Sequence, residues 1–115
     1  MSESGDVAPP VDLVTISRTV EHALARGLAL PERSWVDATT RQLQGQLSLL
    51  LLEDLGDTDS APVRELHRTA YRLLDRRGRP DAGTPPPHAY EYMRTLATVT
   101  RAVAALYARG RSGER

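Results

Sequence analysis

Apolar residues recur at intervals of three and four along most of the chain, which is the spacing of an amphipathic α-helix. The first such segment runs from about Val11 to Arg26. Asp12 is placed to cap its first amides, and Gly27 is typical of a left-handed residue that ends a helix. Its inward positions are Leu13, Ile16, Val20 and Leu24. The sequence therefore predicts a first helix with one buried face.

A second helix is predicted to begin between Pro31 and Ser34. Proline suits a first helical position, and Ser34 has the spacing of a capping box with Asp37. Its inward positions are Val36, Thr39, Leu43, Leu47 and Leu50. The leucines at 49–52 and Leu55 make its last turns apolar on every side. A helix end of this kind is buried or covered by something else.

A third helix is predicted to follow the turn after the second one. Asp59 or Ser60 is placed to cap it, and Pro62 is tolerated because it lies in the first helical turn. Its inward positions are Val63, Leu66, Ala70, Leu73 and Leu74. The spacing again predicts one buried face.

A fourth helix is predicted from about Pro87 to Arg109, after a loop rich in proline and glycine at 78–87. It has the cleanest apolar stripe in the chain, made by Ala89, Tyr92, Met93, Leu96, Val99, Val103, Leu106 and Tyr107. We expect Gly110 to end this helix, because glycine favours the residue after a helix end.

These four patterns predict an all-α fold, a four-helix bundle with up-down-up-down topology, because short connections make successive helices antiparallel neighbours. The bundle domain is expected over residues 11–109. The polar segments 1–10 and 110–115 lack periodicity and are predicted to be disordered tails. The pattern leaves open whether the first helix packs on its own chain or on a neighbouring copy.

The composition is that of an ordinary globular protein of 115 residues, with 40% hydrophobic and 26% charged residues. Cysteine is absent, which excludes disulfides, thiolate metal sites and a cysteine nucleophile. The first ten residues lack the basic and apolar regions of a signal peptide, so we expect a cytoplasmic protein. All 15 basic residues are arginine and Ile16 is the single isoleucine, a bias typical of a high-GC genome.

The leading functional hypothesis is a non-enzymatic adaptor that acts through protein association, and we expect it to be a homodimer. Four adjacent leucine side chains point in all directions, so at least one tends to reach solvent. Trp35 either staples the preceding loop or anchors a partner. The candidate interaction residues are Trp35, Leu49, Leu52 and Leu55.

An arginine row on the third helix gives an alternative hypothesis. Its members recur every fourth residue: Arg64, Arg68, Arg72 and Arg76. Such a row is either a solvated helix face or a surface for anions or nucleic acid, as in a helix-turn-helix transcriptional regulator. A winged version of that motif needs a hairpin after Arg77, and the loop at 78–87 has no alternating apolar strands to build one.

The second alternative is a bundle that binds a small ligand between helices 2 and 4. The polar residues that could turn inward there are Glu53, His67, Tyr71 and Tyr92. His22, His67 and His88 fall on three segments without the Glu-x-x-His pairs of di-iron bundles. No set of nucleophile, base and orienting group can be assembled from the sequence, so we expect no catalytic residue, no metal and no cofactor.

Three motifs of the chain are the leucines around Gly45 with Glu53, the inward residues of the third helix, and Ala89-Tyr90 with Leu96-Ala97. In these motifs the chain resembles, over roughly residues 28–107, a family of short helical actinobacterial proteins of unknown function. Proteins of that family are often described as accessory to natural-product biosynthesis. The resemblance implies this setting, and it implies no catalytic residue.

Overall fold

The computed structural model describes residues 11–25, 27, 29–53, 55 and 60–113. These residues form four α-helices: α1 (Leu13–Leu24), α2 (Arg33–Leu51), α3 (Ala61–Leu74) and α4 (Pro86–Gly113). A short 3-10 helix, Arg76–Gly78, follows α3. Within the described ranges there is no strand. The prediction of an all-α fold with four helices is therefore confirmed. The segment 1–10, which was predicted to be a disordered tail, lies outside the described residues.

Helix α1 is capped by a side chain at its start, and no glycine ends it. The Asp12 carboxylate accepts hydrogen bonds from the Thr15 hydroxyl at 2.7 Å and from the Thr15 amide at 3.1 Å. The bond from the Thr15 hydroxyl contributes most and the bond from the Thr15 amide comes second. Both lower the pKa of Asp12 below its usual value because they favour the ionised carboxylate. The helix ends at Leu24 with Ala25 in an extended conformation. The prediction that Gly27 ends α1 was therefore wrong.

The starts of α2 and α3 were predicted correctly, but the capping box was not. Helix α2 begins at Arg33, and Glu32 makes no side-chain capping bond. Asp37 instead pairs with Arg33 at 2.8 Å, one helical turn away. Helix α3 is capped by Ser60, whose hydroxyl accepts from the Val63 amide at 3.3 Å. The other candidate cap, at position 59, lies outside the described residues.

Helix α4 is longer than predicted. It begins at Pro86 and continues to Gly113, so the prediction that Gly110 ends it was wrong. A glycine ends a helix only where the backbone turns into the left-handed region, and inside a helix it is tolerated at a cost of about 1 kcal/mol. The first four residues of the predicted C-terminal tail, 110–113, are therefore helical, so the prediction of a disordered tail was wrong for them.

Helix α4 is the centre of the bundle, because it packs against each of the other three helices. Helix α2 also contacts α1 and α3, whereas α1 and α3 do not contact each other within the described chain. Helix α1 packs on its own chain: the Gln46 amide nitrogen donates to the Thr19 hydroxyl at 3.1 Å, and Arg94 reaches the Leu24 carbonyl at 3.4 Å. The largest fully buried side chains come from α2 and α4: Leu43, Leu47, Leu50, Met93, Leu96, Val36, Val103 and Thr100.

None of the described helices is long and apolar enough to cross a membrane.

Candidate interaction surface

A continuous row of exposed residues follows the outer face of α2 and ends at Leu52, the residue after the helix. We call this row the α2 stripe, and it consists of Trp35, Ala38, Gln42, Gly45, Leu49 and Leu52. Its large apolar side chains are substantially exposed: Trp35 by 39%, Leu49 by 48% and Leu52 by 80%. The first and last members are 17 residues apart, which is about 25 Å along a helix. The stripe therefore runs almost the whole length of α2.

The spacing of the α2 stripe is that of a helix-packing seam. Successive members are separated by three or four residues in strict alternation, as at the contact positions of a coiled coil. None of the six carries a charge, although 26% of the chain is charged. Sequence reasoning found only the large members of this row. The missed signal was that Ala38, Gln42 and Gly45 continue the same three-four spacing.

Gly45 lies near the middle of the stripe on an open part of the surface. A Cβ atom built at this position meets no other atom within 4 Å. A glycine inside a helix costs about 1 kcal/mol relative to alanine, and nothing inside the described fold requires one here. The absent side chain does, however, allow another helix to approach the α2 backbone closely.

Leu55, the fourth predicted interaction residue, does not belong to this surface. It is only 4% exposed and lies in the hydrophobic core, so its prediction as a surface contact was wrong. The neighbouring leucines divide in the same way: Leu50 is fully buried, Leu51 is half-buried, and Leu49 and Leu52 face outward. The physical reason is that Leu55 follows the end of α2, where the chain no longer keeps helical periodicity.

The arginine row predicted on the third helix is shorter than expected. Helix α3 ends at Leu74, so Arg76 belongs to the 3-10 helix that follows. Arg64, Arg68 and Arg72 are exposed on α3. Arg68 pairs with Glu65 at 2.6 Å, and both side chains are more than 60% exposed. Arg72 donates to the Thr69 hydroxyl at 3.2 Å. These local contacts are typical of a solvated helix face.

Of the residues predicted to turn inward between α2 and α4, Tyr92 is engaged in hydrogen bonds and Tyr71 is exposed. The Tyr92 hydroxyl donates to the Leu73 carbonyl and accepts from Gln44 at 3.3 Å, so it ties α4 to α3 and α2. Tyr71 is 59% exposed and lies edge-on to His67. An apolar groove of about 490 Å³ lies instead between α1 and the second half of α4.

The histidines are dispersed in the fold, as their spacing predicted. His22 and His88 are exposed on α1 and α4, and His67 is half-buried on α3. Among the residues that the structure describes, no group of histidines and carboxylates could hold a metal ion.

The comparisons with known proteins identify a family but no activity. The profile of a family of unknown function, DUF6415, matches residues 14–112, which is nearly the entire chain. Neither the curated proteins nor the solved structures include a match to it.

Proposed function

The chain belongs to the DUF6415 family, whose function is unknown, and we propose that it is a non-enzymatic accessory protein that works as a homodimer. The two copies associate through the α2 stripe. The observation that carries this proposal is the uncharged, exposed row of six residues on α2, with its glycine near the centre. Exposed large apolar side chains, such as Trp35, Leu49 and Leu52 in this row, are characteristic of an association site.

The stripe is complementary to a second copy of itself in an antiparallel arrangement. A two-fold axis at its midpoint places Ala38 opposite Leu49, and Gly45 opposite Gln42, in both halves of the contact. A small residue thus lies opposite a larger one in each inner layer, and Trp35 opposite Leu52 closes both ends. Such self-complementarity is what a two-fold symmetric interface requires, since each patch must fit its own copy.

The absence of charge on the α2 stripe and the area of the contact are also compatible with pairing to a second copy of the chain. The paired stripes bring no like charges together, because none of their members is charged. A contact limited to one helix of each copy belongs to the smallest class of interfaces, below about 1,200 Å² in total. We therefore expect a reversible dimer with a Kd in the micromolar range, in which the exposed arginines of α3 provide orientation toward further partners.

The first experiment introduces a charge at one end of the stripe. Leu52→Glu buries a carboxylate against Trp35 in the dimer, so we expect the Kd to rise about a hundredfold or more. Sedimentation equilibrium over a wide concentration range measures the change. Dilution should also shift the fluorescence of Trp35, the single tryptophan, in the wild type and not in the variant.

The matched control is Val14→Glu, which places the same charge on an apolar side chain of α1 that is 67% exposed and outside the stripe. We expect this control to dimerise like the wild type. A wild type that stays monomeric at high concentration would overturn the proposal, and so would equal weakening by the two variants.

The second experiment tests the antiparallel register with cysteines, because the chain contains none. The double variant Ala38→Cys with Leu49→Cys should form a disulfide-linked dimer under mild oxidation. Each single variant should not, because its two cysteines are offset by eleven residues, about 16 Å along the helix axis. Cross-linking of single Ala38→Cys would instead indicate a parallel dimer and contradict the register.

We place this dimer in the cytoplasm of an actinobacterium, as an accessory protein of natural-product biosynthesis. The support is the sequence resemblance and the exclusive use of arginine as the basic residue, which fits a high-GC genome. Stoichiometric recovery of a biosynthetic enzyme with the tagged wild type, and not with Leu52→Glu, is the expected result of a pull-down from such a lysate. Recovery of the same enzyme with both the wild type and Leu52→Glu would show that binding of this partner does not require dimerisation.

A further inference from the structure

A polar cleft lies on a different face of α2 from the stripe. It has a volume of about 580 Å³ and is formed between α2 and the segment from Arg79 to Ala82 that leads to α4. Its lining includes Arg33, Thr40, Arg41 and Gln44 from α2. The opposite wall contributes Arg79 and Asp81. Three guanidinium groups thus line one small space, which we call the cationic cleft.

The walls of the cationic cleft are held in place by Arg33. Its guanidinium donates to the Thr84 carbonyl and to the Asp81 carbonyl, both at 2.7 Å, and to the Asp37 carboxylate at 2.8 Å. These bonds join α2 to a segment almost fifty residues away in sequence. The cleft is therefore a preorganised feature of the fold and not a gap beside a loose loop.

The acidic groups of the cleft are already engaged. Asp37 is paired with Arg33, and the Asp81 carboxylate accepts from the Gly83 amide at 2.9 Å and from the Thr84 hydroxyl at 3.2 Å. Two cations remain. Arg79 is anchored through Nε and Nη2 on the Leu74 carbonyl, at 3.0 and 2.8 Å, which leaves its Nη1 group available. Arg41 is exposed beside it.

Thr40 provides an independent sign of a ligand. Its side chain is 7% exposed, yet its hydroxyl has no hydrogen-bond partner among the described residues. Three other helical threonines, Thr19, Thr98 and Thr100, each donate to the carbonyl four residues earlier. Thr40 does not make this bond, and it lines the cationic cleft. A buried hydroxyl without a partner is unfavourable and calls for a specific explanation.

We propose that the cationic cleft binds an oxyanion, the phosphoryl or carboxylate group of a small molecule. Arg41 and the free edge of Arg79 provide the positive charge, and the Thr40 hydroxyl donates a hydrogen bond to the bound oxygen. Guanidinium groups suit this role because their planar array of donors matches the oxygens of both groups. No cleft residue belongs to the α2 stripe, and Arg41 borders the stripe beside Ala38 and Gly45.

The test is a titration with pyrophosphate and, separately, with citrate at constant ionic strength. Binding is followed by calorimetry and by the NMR signals of the Thr40 methyl group and the Arg79 Nε group. We expect saturable binding of at least one anion, and the preferred one tells whether the site selects phosphoryl or carboxylate groups. Arg41→Gln and Thr40→Val should each weaken that binding about tenfold, because each removes a charge-assisted hydrogen bond. Arg109→Gln, an exposed arginine on α4 far along the chain, is the matched control and should bind like the wild type.

The thermal stability of Thr40→Val separates a ligand contact from a structural one. Valine has nearly the same shape and no hydroxyl to desolvate, so the unliganded variant should melt at the wild-type temperature or above it while its anion affinity falls. A lower melting temperature would mean that the hydroxyl serves the fold and would overturn its assignment to a ligand. Absence of saturable binding, or equal weakening by Arg109→Gln, would overturn the site itself.

Discussion

The outward faces of α2 and α3 differ in the charge that they expose. The α2 stripe has six exposed positions and no charge, whereas the exposed positions of α3 include Glu65 and an arginine on each of three successive turns. Both helices lie on the outside of the same small protein. A solvated face is ordinarily charged, as on α3. The uncharged face of α2 is therefore the one that indicates a partner.

The inward faces of the two helices also differ. Although α2 has the exposed apolar stripe, it buries more of its residues than α3 does. Helix α2 buries six residues: Val36, Thr39, Thr40, Leu43, Leu47 and Leu50. Helix α3 buries only Ala70, and its leucines are half-buried. Helix α2 is thus anchored firmly enough to present a stripe to a second molecule. Helix α3 is a cover over one side of α2 and α4.

The largest effect predicted from this comparison is on the free energy of unfolding, which should fall more when a leucine is truncated on α2 than on α3. Leu43 is fully buried, so Leu43→Ala should lower the free energy of unfolding by about 2–5 kcal/mol through lost burial and the cavity left behind. Leu66 on α3 is half-buried, and Leu66→Ala should cost roughly 1 kcal/mol. Urea unfolding followed by circular dichroism measures both. Equal losses would show that α3 is anchored as firmly as α2.

A smaller effect of opposite sign is expected at Gly45. Gly45→Ala should raise the free energy of unfolding of the monomer by roughly 1 kcal/mol, because alanine favours the helix and the added methyl group meets no atom of the same chain. In a chain of this size, that is an increase in Tm of about 4 °C. In the proposed dimer the same methyl group would lie in the contact, so the variant should also dimerise more weakly.

The measurement is a thermal melt at concentrations where the dimer is dissociated, combined with sedimentation at high concentration. Ala104→Gly on α4 would be a reverse change outside the stripe, and it should lower the Tm without altering dimerisation. A Gly45→Ala variant that gains stability and dimerises like the wild type would show that no helix approaches α2 at this position.

The spacing of apolar residues was sufficient to predict four helices and the start of α2. It failed at helix ends that depend on backbone conformation, because Gly27 and Gly110 are compatible both with a helix end and with other conformations. Exposure of Leu49 and Leu52 followed from the run of four leucines, since one helix face cannot bury them all. The burial of Leu55 depends on the path of the chain after α2, which periodicity does not describe.

The cationic cleft could not be predicted for a related reason. Arg33 and the carbonyls of Asp81 and Thr84 are brought together by the packing of α2 against the segment before α4, across about fifty residues of sequence. The composition of that segment indicated a loop, and nothing local indicated that Arg33 would hold it. Likewise, the missing hydrogen bond of Thr40 is a property of the folded helix and has no counterpart in the sequence.

The smallest effect is expected on the charged face of α3. The double variant Arg68→Ala with Arg72→Ala removes one exposed ion pair and one hydrogen bond to Thr69, so the free energy of unfolding should change by no more than about 0.5 kcal/mol. Its dimerisation should equal that of the wild type, in contrast to Leu52→Glu.

The wild type and this double variant also test the alternative of a DNA-binding regulator. If α3 contacted phosphates, the wild type would bind duplex DNA at low salt with an affinity that falls steeply as salt is added, and the double variant would lose that binding. For a solvated face we expect no binding difference between the two, and a clear loss in the variant would reassign the arginines of α3 from surface to recognition.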